Sequence, residues 1–313
     1  MGWEVKMERK MAAQYFNGYD FQSLVAGNCS LDKPVYHYMT ISTLMEILSN
    51  KKLRFSNRLY LNDYSEGKYV LDLCIKRIDE IWPNTQKYQK EKFLKELRIL
   101  SEHINNKAFH IYQASFSLSD DSLTMWNYYA KGDGANMKFS LYALEESYKE
   151  RFLDDVQWPV GFLHAPVIYD MTQQIEILNK LLADFATSDS NFNEWYMFVA
   201  WAVLYVGTFF KHESFQDERE YRIAYSLFFA QEQCLTLRSN EEGKPYFVNV
   251  YQRENMLVPY IDIDFDIKAI EGITLSPRLE TENISDGLQI ALRQNGFDIN
   301  KIHISKSKIP VRF

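Results

Sequence analysis

Cysteine is scarce in this sequence. The 313 residues include three cysteines, Cys29, Cys74 and Cys234, which lie far apart and form no C-x-x-C pair. An odd number of isolated cysteines indicates neither a disulfide framework nor a structural zinc site. We therefore expect a reducing, cytoplasmic setting for the protein.

Glycine and proline are also scarce, and acidic residues outnumber basic ones. The chain has 12 glycines and 8 prolines, while 46% of its residues are hydrophobic and 15% are aromatic. This composition excludes a disordered or linker-rich protein and supports a sizeable core. Because the net charge is -7, we expect no general nucleic-acid-binding surface, which would need an excess of basic residues.

Several sequence signatures are missing as well. The N-terminal segment "MGWEVKMERKMAAQYF" has no apolar stretch after its charges and does not resemble a signal peptide. The patterns H-E-x-x-H, G-x-x-x-x-G-K-[ST] and G-x-S-x-G do not occur, which argues against zincins, P-loop NTPases and α/β-hydrolases. The spacing of histidines, cysteines and carboxylates predicts no metal site.

One long apolar run is present, from Trp195 to Phe210, and it carries no charge. It is shorter than the roughly 20 residues that a transmembrane helix needs. A helix that is hydrophobic on all sides is typical of the centre of a large core. We therefore predict a buried central helix and no interaction with a membrane.

The hydrophobic periodicity predicts an α+β fold, with a mixed or antiparallel central sheet and helical insertions. Residues 33–56 begin with a strand, continue with a helix whose apolar face includes Ile41, Leu44 and Leu48, and end with a second strand. No repeat, low-complexity tract or long linker divides the chain. We therefore assign residues 1–32 to an N-terminal extension and residues 33–313 to one domain.

The segment "FQDEREYRIAY", residues 215–225, combines strand character with unusual charge. On a strand, alternate side chains share a face. One predicted face carries Glu218, Glu220 and Arg222 toward a cleft or solvent, and the other carries Arg219, Tyr221, Ile223 and Tyr225 toward the core. Two close carboxylates bind protons more tightly unless cations compensate them, and Lys211 and Arg222 are the nearest cations. The charged face is either a surface ion-pair ladder or a functional centre.

Three other segments carry candidate site residues. They are Tyr36 and His37 in "YHYMT", Asn62, Asp63 and Glu66 in "LNDYSEG", and Ser115, Ser117, Trp126 and Tyr128 in "ASFSLSDDSLTMWNYYAKG". Each segment has a structural alternative: a packing histidine at a strand end, a turn that starts a helix, and a helical core face formed by Trp126, Tyr129 and Ala130.

The ordered set of these blocks resembles the bacterial family of unknown function DUF2971. The resemblance rests on a turn similar to N-D-P-x-E, a serine-rich strand followed by M-W-x-x-Y-A, and a segment similar to K-x-x-x-W-x-x-E-x-E-x-R. Tyr64 stands where the family often has proline, and Phe215 stands where it often has tryptophan. The resemblance covers most of the chain from Val35 to its end and implies no particular reaction.

A fainter resemblance points to mono-ADP-ribosyltransferase-like proteins, on the segments "YHYMTISTLMEILSNKKL", "SFS" and "EREYR". It implies NAD as a substrate, with His37 holding the nicotinamide ribose, Tyr36 or Tyr128 stacking on nicotinamide, Ser115 and Ser117 beside the NAD pocket, Glu220 as the catalytic carboxylate and Glu218 preparing the acceptor. A fixed carboxylate would stabilise the oxocarbenium-like charge that develops when the glycosidic bond breaks. This arrangement requires His37 and Glu220 to face one cleft from the same side of the sheet.

Two other functions remain open at this stage. The same charged pocket would serve a non-catalytic nucleotide- or peptide-binding sensor module. Both the transferase and the sensor module fit a toxin or phage-defence setting. A phosphodiesterase or nuclease would gather a divalent cation between Asp63, Glu66, Glu218 and Glu220. The sequence therefore leaves catalysis undecided, implies no firm cofactor, allows a small-molecule nucleotide as a partner and does not predict the oligomeric state.

Overall fold

A computed structural model describes residues 19–27, 29–61, 68–105, 109–152, 162–185, 192–228, 235–238, 245–246 and 248–311. The helices are α1 (Phe21–Ala26), α2 (Ile41–Asn50), α3 (Tyr69–Ile81), α4 (Lys87–Asn105), α5 (Leu123–Tyr128), α6 (Leu141–Phe152), α7 (Met171–Phe185), α8 (Phe192–Val206) and α9 (Thr281–Gln294). Short 3-10 helices span Arg58–Tyr60, Gly207–Phe209, Glu213–Glu218 and Ile267–Ala269. The predicted α+β class is confirmed.

The strands are β1 (Val35–Met39), β2 (Lys52–Asn57), β3 (Phe109–Ser117), β4 (Ala135–Phe139), β5 (Phe162–Pro166), β6 (Glu220–Phe228), β7 (Leu235–Arg238), β8 (Pro245–Tyr246), β9 (Asn249–Arg253), β10 (Met256–Asp264), β11 (Ile270–Leu275) and β12 (His303–Lys306). Ten of them form one mixed sheet, whose main path runs β12-β11-β4-β1-β3-β2-β10-β9. On the other edge of β3 lies β6, which in turn pairs with β5. Strands β11 and β12 pair in parallel, and the other pairs in this sheet are antiparallel.

The sheet forks at β3, because β1 and β2 share one edge of this strand. Tyr36 of β1 lies opposite Ser117, whereas Ser56 of β2 lies opposite Gln113. In the described part of the chain, no strand pairs with residues 114–116 on this edge. The fork therefore leaves an opening between β1 and β2 at the middle of the sheet.

Helices cover the two faces of the sheet and enclose separate apolar cores. We call one side the α8 face: Ile111 and Ala224 point toward it and pack with helices α3, α4, α7 and α8. We call the other side the α6 face: Tyr221 and Ile223 point toward it and pack with helices α2, α6 and α9. Residues 220–225 of β6 are thus buried on both faces of the sheet.

The predicted central helix is confirmed. From Tyr196 to Phe210, every side chain is buried except that of Met197, which is partly buried. Within the described residues, no helix has both the length and the apolar composition needed to cross a bilayer.

Local predictions hold for most other elements. Thr40 caps α2 by accepting a hydrogen bond from the Thr43 amide, and in the described residues β5 is an edge strand that pairs with β6 alone. Helix α6 spans Leu141–Phe152, and α9 begins at Thr281. Within the predicted N-terminal extension, α1 packs against β5 and buries Phe21 in the core. The boundary at residue 33 stays a prediction.

Candidate functional site

A cleft of about 250 Å³ opens on the α8 face where the sheet forks. Its walls come from distant parts of the chain. They consist of Tyr36, His37 and Tyr38 of β1, Arg54 and Ser56 of β2, Leu61, Gln113, Ala114, Ser115 and Phe116 of β3, Met125 and Tyr129 at α5, Lys211, Glu218, Glu220, and Tyr251 and Arg253 of β9. Helix α5 closes the cleft beside β1, where Trp126 packs on Tyr38.

One end of the cleft contains four buried charged side chains, Lys211, Glu218, Glu220 and Arg222, which we call the charge cluster. The Lys211 ammonium lies 2.6 Å from Glu218 Oε2 and 3.2 Å from Glu220 Oε2. Arg222 holds Glu220 with two bonds of 2.8 Å, from Nε to Oε1 and from Nη2 to Oε2. Since two cations meet two carboxylates, the cluster has no net charge.

The local backbone explains how both glutamates reach Lys211. Glu218 ends the 3-10 helix of residues 213–218, and Glu220 begins β6. Between them, Arg219 adopts a left-handed conformation with φ 44° and ψ 50°. The prediction that Glu218 belongs to the strand was therefore wrong, and so was the prediction that Arg219 faces the core, because its side chain is exposed. The turn at Arg219 replaces strand alternation as the reason why the carboxylates converge.

Arg222 controls the protonation of Glu220. Burial raises the pKa of the Glu220 carboxyl, but the charge and hydrogen bonds of Arg222, the charge of Lys211 and a bond from Ser115 outweigh burial and lower the pKa to about 2. Glu220 is only 6% exposed and Arg222 only 1% exposed. The charged face of this strand is thus an internal ionised cluster and not a surface ion-pair ladder.

Neighbouring polar and aromatic groups hold the charge cluster in place. The Tyr129 hydroxyl donates to Glu218 Oε1 at 3.0 Å, and the Glu220 amide donates to the Tyr169 hydroxyl oxygen at 3.0 Å. The Phe215 ring centroid lies 4.7 Å from the Lys211 ammonium, close enough for a cation–π interaction. Phe215 thus supplies an aromatic ring at the position where the resembled family often has tryptophan.

His37 occupies the fork of the sheet. Its Nδ1 donates to the Ser115 carbonyl at 3.0 Å, which satisfies a backbone group on the edge of β3 where no described strand pairs. Because a carbonyl only accepts, the neutral imidazole has its proton on Nδ1 and a lone pair on Nε2. Burial lowers the pKa of His37, and the bond to Ser115 opposes this effect in part.

His37 and Glu220 project from opposite faces of the sheet, although both residues line the cleft. Tyr36, Ser117 and Glu220 lie opposite one another on adjacent strands and therefore share a face. The next residue along β1, His37, points the other way, and its ring centroid lies 5.5 Å from that of Phe116. The geometry expected from the transferase resemblance, with both groups on one side, is not observed.

The other end of the cleft carries two arginines that the sequence predictions missed. The Arg54 guanidinium lies 4.0 Å from the Tyr260 ring centroid and 5.0 Å from that of Tyr251, and its Nε bonds to Asp262 at 3.1 Å. Arg253 donates to the Tyr60 carbonyl. Among the described residues, no carboxylate forms an ion pair with Arg253. The alternation of Arg54 with Leu53 and Phe55 signalled an outward-facing cation, but nothing in the sequence placed it beside β3.

The structure brings together most of the predicted site residues that it describes. Tyr36, His37, Ser115, Lys211, Glu218 and Glu220 line the cleft, and Arg222 lies directly behind Glu220. Ser117 is fully buried, and its hydroxyl donates to the Glu218 carbonyl at 2.8 Å. Its observed contact is therefore with the backbone that carries the cluster.

Two other described residues of the predicted site, Trp126 and Tyr128, do not line the cleft. Trp126 is 1% exposed and donates to Asp121 at 2.7 Å, so it follows the core alternative. Tyr128 is 76% exposed, and it is the next residue, Tyr129, that lines the cleft. Asn62, Asp63 and Glu66 lie outside the described residues, immediately after the cleft residue Leu61.

Gln113, on the floor of the cleft, was also missed by the sequence predictions. It is 2% exposed, and within the described part of the structure neither Nε2 nor Oε1 has a hydrogen-bond partner. A glutamine within the strand "FHIYQASFS" matches no motif. Its position became meaningful only when the fork placed it at the cleft.

A cation site is not formed by the described side chains. No group of three or more histidines, cysteines or carboxylates within those residues has a suitable arrangement. Asp63 and Glu66, two of the four carboxylates in the phosphodiesterase alternative, fall outside this test.

Residues 125–223 match the family model described as "Protein of unknown function (DUF2971)". The predicted resemblance is thereby confirmed over a segment that includes most of α5 and the whole charge cluster. No curated protein and no solved structure matches the chain. The resemblance to ADP-ribosyltransferases stays a prediction, and the family description supplies no activity.

Proposed function

We propose that this chain is a nucleotide-binding module, whose cleft binds a phosphate-bearing aromatic small molecule of about mononucleotide size. The observation that carries the proposal is an excess of positive charge among the described residues of the cleft. Arg54, Lys211 and Arg253 contribute three cations to its lining, whereas Glu218 and Glu220 contribute two carboxylates. Including Asp262 and Arg222, which contact the lining residues, leaves the same excess of one positive charge.

This excess is local, because the whole chain has a net charge of -7. A local excess of positive charge in a chain of negative net charge attracts anionic ligands to the cleft. Arg253 carries the excess, since Arg54 is paired with Asp262 and Lys211 is held by both glutamates. A guanidinium can form two parallel bonds with phosphate oxygens, which favours a phosphorylated ligand over a simple carboxylate.

Aromatic side chains and the size of the cleft narrow the ligand class. Tyr36, Tyr38, Tyr129 and Tyr251 line the cleft and can pack against a planar ring. The volume of about 250 Å³ lies just below the roughly 300–1,000 Å³ of most small-molecule sites. This volume suits one nucleotide better than a dinucleotide.

Binding is favoured over catalysis because both oxygens of Glu220 are already occupied. Arg222 and Lys211 hold them, and the pKa of about 2 keeps the carboxyl ionised. A catalytic carboxylate needs direct access to the reacting atom. In this cleft Glu220 orders Lys211 and Arg222 instead.

An NAD-dependent ADP-ribosyltransferase is the second and weaker candidate: His37, Ser115 and Glu220 line one cleft, but His37 and Glu220 project from opposite faces of the sheet. In that reaction the bond between the ribose C1′ and nicotinamide breaks, its electron pair leaves with nicotinamide, and the acceptor forms a new bond to C1′. Release of nicotinamide from NAD, measured by chromatography, tests this candidate. Release by the unmodified protein and its loss in Glu220→Gln support it, and no release rules it out.

Binding is tested by thermal denaturation with nucleoside monophosphates, nicotinamide mononucleotide and NAD. A ligand present at 100 times its Kd stabilises the folded state by about 2.7 kcal/mol, which gives a clear rise in Tm. We expect Arg253→Gln to weaken nucleotide binding about tenfold or more, since it removes a charge-assisted contact. Arg293→Gln, which removes the same charge from an exposed position on α9, is the matched control and should bind normally. Equal affinity of the two variants, or no binding by the unmodified protein, would refute the proposal.

A further inference from the structure

The two buried glutamines in the described part of the chain have opposite hydrogen-bonding environments. Gln174, which is fully buried, donates to the carbonyls of Ile168 and Lys211 at 2.6 and 3.1 Å and accepts from the Tyr69 hydroxyl at 3.0 Å. Gln113, which is 2% exposed, has no hydrogen-bond partner for either side-chain atom in the described residues. The fold therefore satisfies one amide and leaves the other unsatisfied.

An unsatisfied buried amide destabilises a folded protein. The free energy of desolvation is lost without the bonds that normally compensate it. Leucine or methionine would fill the same strand position without this loss. A polar group that folding does not use, at the floor of a cleft, is therefore a candidate for ligand contact.

The strand register places Gln113 close to the arginine end of the cleft. Gln113 lies opposite Ser56, and Arg54 lies two residues from Ser56 on the same face of β2. Diagonal neighbours of this kind on adjacent antiparallel strands are about 7–8 Å apart. One nucleotide can span this distance, with its ring at the amide and its phosphate at the guanidinium groups.

We propose that Gln113 reads the adjacent donor and acceptor atoms at the edge of a planar ligand, either a nucleobase or a carboxamide such as that of nicotinamide. This inference rests on the proposed function and specifies which end of the ligand enters the fork. The amide presents one acceptor and one donor side by side, and a ligand edge of the same kind satisfies both. A ligand edge that carries only acceptor atoms satisfies the amide donor and leaves the amide oxygen without a partner.

The test compares Gln113→Met and Gln174→Met in the full chain. Without ligand, Gln113→Met should raise Tm by about 1–3 °C, because it removes an unsatisfied polar group. Gln174→Met should lower Tm, because it leaves the backbone carbonyls and a tyrosine hydroxyl without their partner. If Gln113 served packing alone, Gln113→Met would not raise Tm while Gln174→Met lowers it.

Calorimetric titration then measures the affinity for AMP, nicotinamide mononucleotide and ribose 5-phosphate. Gln113→Met should weaken binding of the base-bearing or carboxamide-bearing ligand about 10- to 100-fold and leave ribose 5-phosphate unaffected. Preference of the unmodified protein for AMP or for nicotinamide mononucleotide identifies whether the edge belongs to a nucleobase or to a carboxamide.

Three results would overturn the inference. The first is that Gln113→Met binds AMP and nicotinamide mononucleotide with the affinity of the unmodified protein. The second is that Gln113→Met lowers Tm as much as Gln174→Met does. In either case nucleotide binding itself can stand while the role of Gln113 fails. If the unmodified protein binds none of the three ligands, the proposed function fails as well.

Discussion

Replacing Lys211 with methionine should reveal how strongly the charge cluster stabilises this fold. Lys211 is 4% exposed, and it lies between Glu218 and Glu220, which are 9% and 6% exposed. Its loss changes the cluster from neutral to a single negative charge. Glu218 then retains the Tyr129 hydroxyl as a partner but has no neighbouring cation from the cluster within bonding distance.

The expected loss of unfolding free energy is about 3–5 kcal/mol, the range for removing one member of a buried ion pair. This is a large part of the about 5–15 kcal/mol that a typical domain has. The double variant Lys211→Met, Glu218→Gln restores neutrality and leaves the bidentate Arg222–Glu220 pair intact. It should therefore recover at least about 2 kcal/mol of the loss, since neighbouring charges couple strongly.

Urea denaturation at pH 7, followed by circular dichroism and analysed by linear extrapolation, measures both variants. Lys138→Met is the matched control, because Lys138 pairs with Glu271 at 2.9 Å on the surface, with side chains 40% and 41% exposed. This variant should lose less than about 1 kcal/mol. The reasoning fails if Lys211→Met is no less stable than Lys138→Met, or if the double variant is less stable than Lys211→Met alone.

Two further predictions concern pH. Because the pKa of Glu220 falls from 4.5 to about 2 on folding, its stabilisation is present above pH 4.5 and is lost as the pH falls toward 2. The destabilisation caused by Glu220→Gln should therefore shrink between pH 6 and pH 3 in urea denaturation, and a constant difference would contradict this account. Burial lowers the pKa of His37 below its ordinary value of 6.5, so the unfolded chain binds more protons below that pH and stability falls with it. His37→Gln should flatten the stability profile between pH 7 and pH 5, and an unchanged slope would argue against a partly buried neutral imidazole.

The sequence predicted those elements whose signals are local. The strand, helix and strand from Val35 to Asn57 follow from one change of hydrophobic period, and α8 follows from its uninterrupted apolar composition. The fork at β3 has no such signal. It depends on pairing between strands far apart in the chain, and no single segment records that β1 and β2 share one edge of β3. The left-handed backbone at Arg219 was equally hidden, since arginine rarely adopts it.

The residues of the candidate site divide in the same way, into those with a local signal in the sequence and those that only the fold brings together. Lys211, Glu218, Glu220 and Arg222 were identifiable because charge within a strand-like segment is unusual. Their mutual neutralisation was not, because it depends on the turn at Arg219 and on the burial of β6 from both faces. Gln113, Arg54, Arg253 and Tyr251 looked ordinary in the sequence, and they form one site only through sheet pairing.

The charged side chains are therefore concentrated at one end of this cleft, and the groups best placed to bind a ligand lie at the other end. The charge cluster satisfies nearly all of its own bonding groups, so its charges are used in folding and in positioning Lys211. Arg253 has no carboxylate partner in the described structure, and Gln113 has no hydrogen-bond partner there. A ligand gains most where the fold has left groups unsatisfied, because it need not displace existing bonds. We therefore expect substitutions at Arg253 and Gln113 to act mainly on binding, and substitutions in the charge cluster to act mainly on stability.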